Sequence, residues 1–149
     1  MEVLGNIIYH PIDDEIKTKV NRKTLYVPVF GNIPCGSTNF MDDDLKGYLE
    51  IPESMVGQGE YYVLRAKGDS MVDAGIDNGD LVIVKKQNYA DDSQIVVAFV
   101  NGETTLKRFY RNDEKKLIEL KPDNKRYESI FVSDCIILGV AAKVIKDIL

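Results

Sequence analysis

One histidine, His10, stands in 149 residues, and it lies in a polar leader away from any stretch with strand or helix character. A Ser-His-Asp triad therefore has no base to work with, since a hydroxyl becomes a useful nucleophile only when a neighbouring group takes its proton. Cysteine is nearly as scarce. Cys35 and Cys135 are a hundred positions apart, too few for a disulfide framework, and Met1–Asn6 is not an apolar leader. These two absences predict a cytoplasmic chain with free thiols. Long apolar runs are also missing: the longest, Cys135–Ala142, ends at Lys143, far short of the roughly 20 residues a bilayer span needs. No membrane segment is expected. Positive charge is in deficit, with 19 Lys and Arg against 24 Asp and Glu, a net charge of −5 and a pI near 4.9. Such a balance argues against a surface built to neutralise phosphates, and so against direct DNA binding. The acidic run Asp42-Asp43-Asp44 has no spaced set of ligands around it, and neither a metal nor a cofactor is expected.

What is present is a hydrophobic content of 44%, enough for a real core in one domain of this length. Residues 1–24 mix apolar and charged side chains without a sustained period and read as a flexible arm or linker. Two dozen residues cannot supply the packed helices of a helix-turn-helix reader. Residues 25–149 read as the domain, mostly β, with short strands separated by turn chemistry. Leu25–Phe30 is strand-like, with Pro28 marking an edge or a departure from the sheet; 41–59 reads as loop with one helical turn at Pro52–Met55. Leu81–Val84 and Ile95–Val100 are continuous apolar strands. Asn101-Gly102 then signals a two-residue type I′ hairpin into Glu103–Tyr110, placing Lys107 near the far end of the returning strand. Leu117–Leu120 is a further strand, and Phe131-Val132 with Ile136–Ile145 closes the sheet.

The chain is organised around Lys67-Gly68-Asp69-Ser70-Met71, a tight glycine-flanked bend directly after the strand-like Tyr61–Ala66. A serine in such a bend has its oxygen presented rather than packed. With no histidine at hand, the remaining base is a lysine held neutral by burial, and Lys107 is embedded in a strand-like run. Alternation places Thr105, Lys107 and Phe109 on one face and Leu106, Arg108 and Tyr110 on the other. Arginine does not deprotonate in a protein, so Lys107 rather than Arg108 is the candidate base for Ser70. An unperturbed lysine has a pKa of about 10.4 and is uncharged in roughly one molecule in a thousand near neutrality, so the chemistry requires burial to lower it.

Three segments then coincide. Gly68-Asp69-Ser70-Met71 with Asn78-Gly79-Asp80 behind it, Thr105-Leu106-Lys107-Arg108 placed 37 positions after the serine, and Val27–Gly36 resemble the nucleophile, general-base and cleavage segments of the LexA/UmuD family of self-cleaving serine-lysine peptidases. The resemblance covers roughly residues 25–149. It implies a domain like the C-terminal one of that family, with an extended N-terminal arm, and self-cleavage at Cys35-Gly36, where glycine leaves the Cys35 carbonyl open to attack. The backbone N–H groups of Asp69 and Ser70 are implied as the oxyanion donors; Asp69 also suits the turn itself. A homodimer through the C-terminal strand region is implied, as is activation by the RecA filament on single-stranded DNA.

Two roles within the family fit. One is UmuD-like, in which the trimmed chain assists an error-prone DNA polymerase in lesion bypass, and the lack of a DNA-reading half supports it. The other is the peptidase and dimerisation half of a LexA-like or phage repressor. A third reading, of another class, is a noncatalytic dimeric scaffold in which Ser70 and Lys107 are relics.

Overall fold

The computed structural model describes residues 2–4, 7–9, 23–31 and 45–148. Its strands are β1 (Glu2–Leu4), β2 (Ile7–Tyr9), β3 (Thr24–Phe30), β4 (Leu45–Pro52), β5 (Tyr61–Arg65), β6 (Leu81–Lys85), β7 (Ile95–Val100), β8 (Glu103–Asn112), β9 (Leu117–Lys121), β10 (Ile130–Val132) and β11 (Ile136–Ile145). The backbones of β1 and β2, within the stretch read as an arm, pair antiparallel with each other. All the others form one nine-stranded sheet in the order β10-β9-β8-β7-β11-β6-β5-β3-β4, which bears out the mostly β expectation. Every pairing in it is antiparallel except a short parallel contact of Val29 and Phe30 with Val63 and Leu64.

Local chemistry explains most of the strands. The runs Tyr61–Leu64, Leu81–Val84 and Ile95–Val100 lack alternation because they are covered on both faces, and Val63, Ile83, Val84, Val96 and Ala98 have no exposed surface at all. Between β7 and β8 the turn is the one the residues demand: Asn101 has φ 51° and Gly102 φ 78°, both left-handed, as a type I′ hairpin requires.

Four expectations need correction. Residues 45–52 form a strand, not loop: Leu45, Leu49 and Ile51 alternate with exposed Lys46, Tyr48 and Glu50, a period hidden by the acidic run before it. This places β4 at the sheet edge, and β3, with Pro28, one strand inside it. Proline is tolerated there because β5 pairs only from Val29 onward. Lys107 lies in the middle of β8, opposite Val96, because that strand runs on to Asn112. Finally, β11 does not close the sheet but is inserted at its centre, between β7 and β6. It bends there through register shifts at Ile137/Gly139 and Ala141/Lys143. Gly139 permits the approach, since a Cβ on it would stand 2.7 Å from the Lys85 carbonyl oxygen.

The part of the core that matters for chemistry gathers Phe30, Tyr62, Met71, Ile76, Val82 and Val97 in one cluster. Phe30 packs edge-on against Tyr62, with ring centroids 6.4 Å apart. The last residue of β3 is thus fixed in the same apolar body as the residue after Ser70.

Candidate active site

Beyond β5 the chain makes a closed loop before returning as β6. The Ala66 N–H donates to the Asp80 carbonyl and the Gly79 N–H to the Ala66 carbonyl, each at 2.8 Å, while Asn78 Oδ1 accepts from the Gly68 N–H at 2.8 Å. Gly68 adopts φ 79°, a left-handed conformation that a side chain would strain. Inside the loop, Val72–Ala74 is a single 3-10 turn ended by Gly75. Met71, 3% exposed, plugs the loop into the core, which leaves half-buried Ser70 on the rim above it.

On the facing wall, Lys107 Nζ donates to Ser70 Oγ at 3.3 Å, to Thr105 Oγ1 at 2.6 Å and to the Leu106 carbonyl at 3.1 Å. Among the described residues no carboxylate pairs with it. Burial pushes its pKa below the ordinary lysine value, because an ammonium among Met71, Val97 and Leu106 loses hydration that nothing of opposite charge replaces. The three contacts suit a proton exchange. A charged amine has three N–H donors for its three neighbours, and a neutral one keeps two, for Thr105 and Leu106, and turns a lone pair toward the Ser70 hydroxyl.

Both walls line a cleft of about 670 Å³, bordered by Leu64–Gly68 on one side and Glu103–Lys107 on the other. The second border is an open strand edge. β9 pairs with β8 only from Arg108 to Asn112, so Glu103–Lys107 have a strand neighbour, β7, on one side alone among the described residues. An extended peptide can add to such an edge through backbone hydrogen bonds. Gly31 also lines the cleft. Cys35 and Gly36 lie outside the described residues. They follow Gly31 by four and five positions, and four residues of extended chain reach at most about 14 Å.

The backbone N–H groups of Asp69 and Ser70 have no intramolecular acceptor among the described residues, whereas those of Val72, Asp73, Ala74 and Ile76 all do. Asp69 is heavily engaged otherwise. Its carbonyl accepts from Val72 N–H and Asn124 Nδ2, and its carboxylate accepts from the Tyr127 hydroxyl.

Three participants escaped the sequence reading. Thr105 carried a signal, being two residues before Lys107 on the same strand face. Asn124 and Tyr127 carried none, because they reach Asp69 from more than fifty positions away. Arg108, set aside as a base, grips Asp123 with Nε and Nη2 and donates from Nη1 to the Ser93 carbonyl. Among the described residues there is no cluster of three metal-ligating side chains, and no helix is long and apolar enough to cross a membrane.

The family model described as Peptidase S24-like matches residues 28–142. Similar proteins are the LexA repressors of Syntrophomonas wolfei, 39% identical over 138 residues and 93% of this chain, and of Caldicellulosiruptor saccharolyticus, 37% identical over 135 residues and 91%. That of Desulfitobacterium hafniense is 40% identical over 118 residues and 79%. The chain spans 66%, 65% and 57% of the length of these relatives.

Proposed function

The chain belongs to the Peptidase S24-like family, and from that premise we propose that it is a self-cleaving serine peptidase with Ser70 as nucleophile and Lys107 as general base. One observation carries the reading: Lys107 Nζ stands 3.3 Å from Ser70 Oγ, with no carboxylate partner among the described residues, in a cleft whose border includes Gly31, just upstream of the proposed scissile bond. Lys107 takes the Ser70 proton as the oxygen attacks the Cys35 carbonyl, then delivers a proton to the Gly36 amine as the bond breaks. Water hydrolyses the resulting ester. The Asp69 and Ser70 N–H groups donate to the developing oxyanion.

Because the peptide is tethered, its effective concentration is high and cleavage must be gated. In this reading, the state with the cleavage segment in the site is a minor population that a partner raises. The printed names of the relatives, LexA repressor, favour the repressor role over the lesion-bypass role; the activating partner in this reading is the RecA filament on single-stranded DNA and the working form a homodimer, both as the family resemblance implies.

The test is alkaline incubation followed by mass analysis. Fragments of residues 1–35 and 36–149 are expected, formed at a rate independent of protein concentration and accelerated by added RecA filament. Full retention of cleavage in Lys107→Ala would falsify the pairing, and an intact chain under all conditions would support the noncatalytic scaffold.

A further inference from the structure

The nucleophile loop is gripped from outside by a segment the proposed chemistry does not use. Asp123 accepts from the Asp73 N–H through its carbonyl at 2.8 Å and donates its own N–H to Met71 Sδ at 3.3 Å. Its neighbour Asn124 donates from Nδ2 to the Asp69 carbonyl at 2.8 Å, and the Tyr127 hydroxyl reaches the Asp69 carboxylate. Residues 69, 71 and 73 are thereby each held by the 123–127 loop, with Ser70 between the first two. The loop in turn is held to β8. Arg108 donates to Asp123 Oδ2 from Nε at 3.0 Å and from Nη2 at 2.6 Å, and both side chains are largely shielded, 26% and 16% exposed. Arg108 directly follows Lys107.

We infer that Arg108, Asp123 and Asn124 are positioning residues that set the distance between Ser70 and Lys107, a role that rests on the proposed peptidase function. Two consecutive residues of one strand fix both partners: Lys107 carries the amine itself, and Arg108 carries the serine through Asp123 and its backbone. The path from Lys107 to Ser70 runs through one ion pair and the backbone of two loops, so a shift of β8 moves both groups together. Without the clamp, the turn keeps its own bonds, the Lys146 pairs at Asp77 and Asp80, and Met71 and Ile76 in the core, but the Asp69 carbonyl is left with a 3.3 Å bond from Val72. A contact of 3.3 Å has little to spare. A displacement of about 1 Å at a reacting centre lowers rates by roughly 100-fold.

The experiment compares the full chain with Asp123→Asn, Arg108→Lys and Asn124→Ala by two readouts: self-cleavage against pH, and phosphonylation of Ser70 by a fluorophosphonate, which needs no cleavage segment. For Asp123→Asn and Arg108→Lys, roughly 10- to 100-fold slower cleavage and labelling are expected, and for Asn124→Ala about threefold to tenfold. The pH at which the alkaline limb rises should stay where it is, because the burial that lowers the Lys107 pKa and its contacts with Thr105 and Leu106 lie on β8 itself and are left in place. A merely structural effect would open the cleft to water and carry the limb toward the ordinary lysine value. Rates within twofold of the parent in all three variants, or a displaced limb with an unchanged maximum, overturn the inference. Should Asp123→Asn fail to fold, the other two variants decide. If the parent chain neither cleaves nor labels, the peptidase reading itself fails, which is a separate outcome.

Discussion

The two walls of the cleft are built on different principles. Lys107 stands in the middle of a ten-residue strand whose backbone is locked to Ile95–Val100, and its place follows from local rules of pairing and alternation. Ser70 stands on an irregular loop whose shape depends on Asn78, Asp80, Asp123, Asn124 and Tyr127, contributed from as far as 58 positions away. A ladder tolerates the loss of any one side chain, whereas a loop of this kind is only as well placed as the groups that grip it. Substitutions on the two walls should therefore differ in kind as well as in size.

The largest expected effect would break the comparison if it were lopsided. Ser70→Ala and Lys107→Ala should each reduce self-cleavage by roughly 1,000-fold or more, and the double variant should be no worse, since groups acting as a unit are not additive. Next is Thr105→Val, on the ladder wall. It removes an acceptor that favours the charged amine, so the alkaline limb of the rate should move to lower pH while the maximum falls about tenfold. This inverts the pattern expected from the loop wall, where the maximum falls and the limb stays.

Stability sharpens the contrast further. Burial lowers the Lys107 pKa from 10.5, so below the folded value the folded state carries an ammonium it hydrates poorly. As pH rises between the folded value and 10.5, the unfolded chain binds more protons and stability increases. Lys107→Met should accordingly melt a few degrees higher than the parent near neutrality, with a gap that narrows in alkali, as measured by thermal denaturation across pH. The smallest effect lies behind the loop wall, where Lys146 Nζ pairs with Asp77 at 2.8 Å and with Asp80. Its ammonium holds the Asp80 carboxyl below the ordinary 3.8, which gives stability present above that value and lost as pH falls through the folded one. Acid melts of Lys146→Met should show a shallower decline than those of the parent.

Much of the ladder wall was legible in advance. The Asn101-Gly102 turn, the alternation along β8 and the choice of Lys107 over Arg108 as candidate base all follow from local chemistry. Its central position in the strand did not, because nothing local says how far past Tyr110 the pairing continues. The Ser70 loop was legible as a bend, but not as a held bend: glycines announce a turn, while a side-chain bond from Asn124 to the Asp69 carbonyl leaves no periodic trace. β4 was missed because three aspartates and Gly47 obscured a genuine period of two. The place of β11 was missed because a long apolar run says that a strand is buried without saying between which neighbours.

That last strand has a consequence for timing. β6 and β7 never touch as ladder partners; the half of the sheet that shapes the serine loop and the half that carries the amine are stitched together by residues 136–145. Because β11 is the last strand in the chain and lies between β6 and β7, the proposed hydroxyl and base would come face to face only once that strand is in place.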